Sequence, residues 1–352
     1  MKTPLIYALH SGNLYGTERM ALATAEVLSS DFAPVIIAPP GAALDRAAAM
    51  GFETRDFTGA ASFFTIIGRL LKRGRKTAFL ATGLVHSLSA ISWNTVLRSR
   101  LAHLHVVHGG TDERLSYGRK RLLNRARVKL VAVSEFVKSR LLTHGVSENK
   151  IRVIENFLPE SRTRTAPRRS KFDSEGIRRI IVISRLDPNK RVDLLLDAFD
   201  RCAQFRSLPV RVFGTGWNES DLRERARLHN PNIQFEGFQT SLEGQIAESD
   251  LLVHLCPTEP FGLAILEAMA GGVPVLAPSS GGAASLVKEG HSGFQFQADD
   301  VDSLVSRLLM LSRAPALLLN RAVEGADEAL ATRFSPKERI ADYRRLIEEE
   351  LA

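Results

Sequence analysis

The chain has 352 residues, 44% hydrophobic and 24% charged, which suits two globular domains and excludes a disordered or collagen-like chain. Its two cysteines, Cys202 and Cys256, exclude a disulfide framework and have no zinc-site spacing, and no apolar run is long enough to span a bilayer. The net charge of +8 is uneven: residues 1–160 hold 22 basic and 12 acidic side chains, a net +10, whereas the remainder stands at −2, so the first half suits either a polyanionic partner or an ordinary solvated basic surface.

The opening Met-Lys-Thr-Pro-Leu-Ile-Tyr-Ala-Leu-His has an apolar run too short for a signal peptide and reads as a first strand over 2–9. Gly16-Thr17-Glu18 and a helical pattern through Leu28 follow, then an apolar run at 34–38. This strand, loop, helix and strand open a parallel α/β sheet. Further strands are predicted at 77–81, 103–107, 129–133 and 151–154, with a helix over 134–144 that Ser134 caps. Residues 159–176 mix Pro159, Pro167, Ser161, Ser170 and Ser174 with Arg162, Arg164, Arg168 and Arg169, a polar linker rich in breakers. A second series follows, with strands at 179–183, 209–213, 233–235, 250–254 and 274–277 and helices around 192–204, 219–228, 242–248 and 262–271. Ser335-Pro336 places an N-cap and an N1 proline ahead of a last helix. Few cysteines and the lack of a signal peptide point to the cytoplasm.

The most informative stretch runs from Thr258 through Glu259-Pro260-Phe261-Gly262-Leu263 to Glu267 and Gly272. Its loop lies at the C-terminal end of a predicted strand, where open α/β sheets bind ligands. Pro260 is expected to start a helix whose free N–H groups, from about Phe261 to Leu263, form an anion site. Glu267 is expected two turns in, on roughly the same side. Two carboxylates would then flank a phosphate-binding helix end, which suits a diphosphate with a sugar on one side and a ribose on the other. An isolated pair of glutamates is more often a helix-start acid and a solvated residue; the accompanying motifs tip the balance.

Those motifs resemble the family 4 glycosyltransferases, the retaining group 1 enzymes with the GT-B fold that include glycogen synthases and mannosyltransferases. Glu259 to Glu267 matches the family's E-x7-E motif, with Pro-Phe-Gly-Leu after the first Glu and Glu-Ala-Met-Ala at the second. Ile183-Ser184-Arg185-Leu186-Asp187-Pro188-Asn189-Lys190-Arg191-Val192-Asp193 is similar to its Arg…Lys donor-phosphate motif, and Gly214-Thr215-Gly216 to its second-domain G-x-G turn. Val131-Ala132-Val133-Ser134-Glu135 and Ile154-Glu155-Asn156 resemble the end of its first domain. The resemblance implies an α/β GT-B fold with two Rossmann-like domains facing a central cleft. The first, over 1–165, would bind the acceptor and the second, over 166–334, the nucleotide sugar, with a C-terminal helix over 335–352 packing back on the first. It implies transfer from a UDP-, GDP- or ADP-sugar, with retained configuration, to a hydroxyl of a glycan or lipid-linked acceptor in bacterial polysaccharide or glycolipid synthesis, with no cofactor beyond that donor.

Arg185 and Lys190 follow a strand, and a guanidinium and an ammonium there would stabilise the charge of a departing nucleoside diphosphate. By resemblance, His108, at the end of Val106-Val107-His108-Gly109-Gly110, contacts the donor sugar; Glu259, His108, Arg185 and Lys190 form the expected catalytic set. Gly16, Gly214, Gly216, Pro260, Phe261, Gly262, Leu263 and Glu267 form the expected donor site. Where the family has two adjacent glycines in the first loop, this chain has Tyr15-Gly16, so only Gly16 is assigned. Gly281-Gly282-Ala283-Ala284-Ser285 lacks the family's Pro and Glu and reads as a small-residue loop beside the diphosphate. His10 and His86 receive no role. Asp300-Val301-Asp302 reads as a helix-starting acidic turn, and no metal site is expected.

Phe63-Phe64-Thr65-Ile66-Ile67-Gly68-Arg69, leading to Lys72, Arg73, Arg75 and Lys76, is apolar then basic. Arg119-Lys120-Arg121, Arg125, Arg127 and Lys129 form a second basic run. Either run suits an anionic membrane surface, at the inner face of the membrane, or a core-facing helix with a solvated end. The rival functions are a GT-B sugar-nucleotide epimerase or hydrolase and a basic nucleic-acid-binding protein; the latter lacks an aromatic stacking platform, so no nucleic-acid partner is expected. No G-x-G-x-x-G with a downstream acid supports a dehydrogenase.

Overall fold

The computed structural model describes residues 2–110, 112–159 and 167–352. Linker residues Ser161, Arg162 and Arg164, and the domain boundary at 165/166, lie outside them. By its contacts the chain divides into two compact units, one of residues up to Asn156 together with Pro336–Ala352, the other Phe157–Ser335.

The first unit is built on a seven-stranded parallel sheet. Its strands are β1 (Thr3–Ala8), β2 (Phe32–Ala38), β3 (Glu53–Asp56), β4 (Lys76–Ala81), β5 (Arg100–Val107), β6 (Lys129–Ala132) and β7 (Ile151–Val153), in the order β3-β2-β1-β4-β5-β6-β7. The order reverses next to β1, which places a crevice at the C-terminal ends of β1 and β4. Leu5, Ile6, Tyr7 and Ala8 are all buried, as expected of a central strand covered by helices on both faces. Glu-Thr-Arg-Asp of β3 is polar and mostly exposed because it is an edge strand, which is why its residues do not read as a strand.

The second unit has a six-stranded parallel sheet of β8 (Ile180–Ile183), β9 (Val210–Phe213), β10 (Ile233–Gly237), β11 (Leu251–Val253), β12 (Val275–Pro278) and β13 (Phe294–Phe296), in the order β10-β9-β8-β11-β12-β13. Helix Val192–Arg201 turns Val192, Leu195, Leu196 and Phe199 into its core, the spacing of one helix face. Short β13 is a strand the sequence reading passes over.

Helix Pro336–Leu351 returns to the first unit, against β5, β4 and helix Gly16–Leu28. Ile340, Tyr343, Leu346 and Ile347 are buried there. Arg344 pairs with Asp31, and Arg100 donates to the Leu351 carbonyl at 3.1 Å.

Helix Ala60–Leu70 divides the apolar side chains of the first apolar-then-basic run between core and surface. Phe63 and Ile67, four residues apart on one face, are fully buried in the core with Phe57, Phe79 and Leu71. Phe64 stacks on Trp93, whose indole donates to the Phe64 carbonyl at 2.7 Å. Phe63 and Ile67 therefore belong to the core, whereas Phe64 is exposed and Ile66 partly buried. No described helix is long and apolar enough to cross a membrane.

Candidate functional site

In the second unit the chemistry gathers at the C-terminal ends of β8, β9, β11 and β12. The loops after β8 and β9 are stitched together: Ser184 N–H donates to the Phe213 carbonyl at 3.0 Å, Leu186 N–H to Thr215 at 3.0 Å, and Asn218 N–H to Leu186 at 2.9 Å. Gly214 lies at φ 128°, and a Cβ there would overlap the Ser184 carbonyl oxygen; a Cβ at Gly216 would press on the Leu186 backbone. The G-x-G turn is thus a packing requirement of the loop that carries Arg185, since only glycine fits both positions.

Past Leu186, Asp187 is buried, forms an ion pair with Arg185 and accepts a hydrogen bond from Trp217 N–H at 3.3 Å. Arg185 stays half-exposed, with its guanidinium held by that carboxylate. A 3₁₀ turn, Pro188–Lys190, then carries Lys190 inward. Its ammonium donates to Glu259 Oε2 at 2.7 Å, and both side chains are largely buried. The E-x7-E and Arg…Lys motifs therefore meet in one ion pair.

His254, which follows β11, places Nε2 3.5 Å from the same Glu259 oxygen. Burial works against ionisation of Glu259, but the Lys190 charge and neighbouring His254 outweigh it and hold the carboxyl well below its usual range. Burial likewise opposes the Lys190 charge, and Glu259 outweighs it and raises the ammonium. Next to the pair, the Cys256 thiol donates to the Asn189 carbonyl at 3.2 Å, and burial pushes that thiol up. His254 and Asp187 escape the sequence reading. Within Leu-Leu-Val-His-Leu-Cys a lone histidine looks like a core residue; its signal is a place at the end of the strand that feeds Glu259.

The helix after Glu259 begins later than Pro260. It spans Leu263–Ala270, with Gly262 as its N-cap at φ 108°. Phe261 is not a helix-start residue; its ring is buried edge-on against Phe334. The first-turn N–H groups belong to Leu263 and the residues after it. Glu267 consequently lies about one turn in, not two. It is partly buried and lines a pocket with Leu158, Pro167, Glu243, Ile246, Ala270 and Gly271.

The loop of small residues closes over this entry. Gly282 N–H donates to the Glu259 carbonyl at 2.6 Å, Ser280 Oγ donates to the Pro257 carbonyl at 2.7 Å, and a Cβ at Gly282 would overlap the Pro260 carbonyl. Asp300 caps helix Val301–Leu311, accepting from Asp302 N–H at 2.9 Å and Ser303 N–H at 3.0 Å. Among the described residues no three His, Cys, Asp or Glu side chains gather as metal ligands.

In the first unit His108 follows β5. Burial, with a smaller contribution from His10, pushes its imidazole down to about 3, and its Nε2 has no hydrogen-bond partner among the described residues. His10 follows β1 and bonds Thr82 Oγ1 at 2.9 Å. His86 lies between Phe57 and Phe63 and is held at about 4, by burial first and His10 second. Gly16 is exposed as the first residue of its helix and has no positive φ. The tight glycine of this loop is Gly12, whose Cβ would overlap the Pro40 carbonyl.

Comparison with known proteins follows the same division. The model for glycosyltransferase family 4 matches residues 14–162, and that for glycosyl transferases group 1 matches residues 164–328. N-acetyl-alpha-D-glucosaminyl L-malate synthase of Bacillus anthracis is 27% identical over 205 residues, 56% of this chain and 54% of the relative. A GDP-mannose-dependent monoacylated alpha-(1-6)-phosphatidylinositol monomannoside mannosyltransferase of Corynebacterium glutamicum is 31% identical over 48% of this chain and 45% of the relative. Matches to the curated relatives thus span about half of their length. Anabaena Alr3699/HepE, solved with UDP and glucose, superposes with a TM-score of 0.82 at 18% identity, covering 98% of this chain and 99% of that one, a likeness of fold. The two matched models, the two parallel Rossmann-like sheets and this structural likeness place the chain in the group 1 (family 4) glycosyltransferases, with the GT-B fold.

Proposed function

We propose that the protein transfers a sugar from a nucleotide diphosphate sugar to a hydroxyl acceptor, with retained anomeric configuration and without a metal ion. The observation that carries this reading is the buried Lys190–Glu259 pair beside the half-exposed Arg185, at the C-terminal edge of the second sheet. The bond from the anomeric carbon to the diphosphate breaks as the bond to the acceptor oxygen forms; negative charge gathers on the departing diphosphate oxygen, which takes up the proton that the acceptor hydroxyl loses. Arg185, Lys190 and the first-turn N–H groups after Gly262 supply positive potential fixed before the reaction. Ionised Glu259 holds the Lys190 ammonium in place until the donor arrives, and Glu267 suits the ribose hydroxyls. His108, neutral, is the first-unit group assigned to the donor sugar. The GDP-mannose dependence in the name of the Corynebacterium relative and the UDP bound in Alr3699/HepE support a nucleotide-sugar donor, and the phosphatidylinositol mannoside in the former's name supports a lipid-linked or glycan acceptor.

A thermal-shift panel of UDP, GDP, ADP and their sugars tests the donor, because a ligand of the folded state raises the melting temperature. One nucleoside diphosphate is expected to stand out, and its sugar to turn over in EDTA. No shift with any of them would defeat the reading, and loss of turnover restored by Mg²⁺ would defeat its metal-free part.

A further inference from the structure

The segment after β5 makes a second basic site that the donor chemistry does not use. A surface pocket of about 220 Å³ is lined by Arg114, Gly118, Arg119, Arg121, Leu122 and His144. Its walls are helix Glu113–Ser116 and the 3₁₀ turn Gly118–Leu123. The turn splits the basic run. Lys120 points inward, buried, and donates to the Leu115 carbonyl at 3.3 Å, and burial pushes it down to about 8; Arg119 and Arg121 point outward.

Arg114, Arg119 and Arg121 make no ion pair with any described residue. Of the two acids at the start of the wall helix, Asp112 caps it by accepting from Leu115 N–H at 2.9 Å, and Glu113 is matched by Arg140, which pairs with it, and by His144 Nε2 at 2.9 Å. The pocket is braced as well as charged. Asn124 Nδ2 donates to the Gly145 carbonyl at 2.9 Å, Ser147 N–H donates to Asn124 Oδ1 at 3.0 Å, and the Tyr117 ring stacks on His144. Leu115 and Leu122 are exposed beside the arginines, at 45% and 59%.

We propose that this pocket seats a phosphate or pyrophosphate group carried on a lipid, with Leu115 and Leu122 against the first methylenes of the chain. Three guanidiniums that line one pocket, none in an ion pair with a described residue, offer the bidentate donors that a phosphate takes. Exposed Leu122 in the pocket lining and exposed Leu115 on the adjoining helix give an anion carried on an apolar chain a surface to rest on. The site lies on the segment that follows His108-Gly109-Gly110, so it deepens the acceptor half of the proposed function and rests on that reading for its role in transfer. Its ligand chemistry stands independently.

The probe is dodecyl phosphate below its micelle concentration, titrated calorimetrically into the full chain and compared with inorganic phosphate. Wild type should bind dodecyl phosphate at least about tenfold more tightly than inorganic phosphate. Arg114→Gln/Arg119→Gln/Arg121→Gln should lose at least about tenfold for both probes, and Leu115→Ser/Leu122→Ser should lose affinity for dodecyl phosphate alone. Single Arg119→Gln and Arg121→Gln variants, each expected to lose severalfold, serve if the triple variant misfolds. A calorimetric unfolding profile that keeps the heat of the first unit, which holds the pocket, shows that a variant is folded; absence of a nucleoside diphosphate shift in wild type would strike the donor reading and leave the pocket result standing. The proposal is overturned if dodecyl phosphate does not bind or if the arginine variants bind it as wild type does. Equal affinity for both probes overturns the lipid source.

Discussion

At the scale of single residues, the second-unit site is organised by one carboxylate. Glu259 faces Lys190 and His254 and little water. Removing one partner of a buried ion pair leaves a stranded charge, which costs more than the pair contributes. Glu259→Ala is therefore expected to lower stability by about 3 kcal/mol and to abolish most turnover, whereas Glu267→Ala should weaken nucleoside diphosphate binding about tenfold with a smaller loss of stability. Denaturant unfolding and calorimetry separate the two; equal nucleotide affinity in wild type and Glu267→Ala sinks the ribose assignment. A second residue effect lies in the first unit. Burial of His103 on β5, where Nε2 meets Ser87 Oγ at 3.0 Å, pushes its imidazole down to about 3 from 6.5. Between those values the unfolded chain takes up a proton that the folded chain refuses. The stability of the neutral form is complete above about pH 6.5 and drains as pH falls, by about 2 kcal/mol at pH 5. The melting temperature should drop from pH 7 to pH 5 at fixed ionic strength, and less steeply in His103→Gln. Equal slopes in the two proteins would remove His103 as a cause.

At the scale of elements, the glycine turn after β9 makes a prediction of its own. A methyl group at Gly214 meets the Ser184 carbonyl at a backbone angle that L-residues avoid. Gly214→Ala should cost about 2 kcal/mol or more and displace the loop bearing Arg185, so nucleotide affinity falls together with stability. A variant with wild-type melting and wild-type affinity would show that the loop can yield. The same turn shows what could be read beforehand. Central strands such as Leu5-Ile6-Tyr7-Ala8 and Ile180-Ile181-Val182 announce themselves because helices bury both faces. Edge strand Glu53–Asp56 does not, since its identity comes from pairing with β2 and not from its own side chains. The start of helix Leu263–Ala270 is not legible in the sequence, because Pro260 fits an N1 position by propensity, whereas Gly262 in the left-handed region sets the actual cap. Helix Ala60–Leu70 shows the same limit. Its apolar content is plain, but only packing reveals that Phe63 and Ile67 face Phe57 and Leu71. The meeting of Lys190 with Glu259 spans 69 positions of sequence; family resemblance puts both in one catalytic set, and only the fold shows them as an ion pair.

At the scale of the whole molecule, the chain order and the folding units disagree, and that disagreement can be measured. The second unit is one continuous stretch, Phe157–Ser335, but the first is completed by Pro336–Ala352. Helix Pro336–Leu351 buries Ile340, Tyr343, Leu346 and Ile347 against the first sheet and its helices. At about 1.5–3 kcal/mol for each large apolar side chain withdrawn from water, the four contribute on the order of 8 kcal/mol, an upper estimate because an unfolded chain already shields some surface. A domain's net stability is about 5–15 kcal/mol, so the helix accounts for much of what the first unit has. Ending the chain at Ser335 should leave the first unit unfolded or molten, while the second keeps its hydrophobic core and the Lys190–Glu259 pair. Two observables then part company. Calorimetry of the shortened chain should lose the heat of the first unit, and the remaining transition should still rise with the nucleoside diphosphate that stabilises the full chain. Adding back residues 336–352 as a separate peptide should restore part of the lost transition in proportion to peptide concentration. If the shortened chain instead melts as the full chain does, the helix contributes far less than its buried area implies, and the first sheet is stable without it. If shortening also abolishes the nucleotide shift, the second unit depends on the first, and the two do not fold as separate bodies.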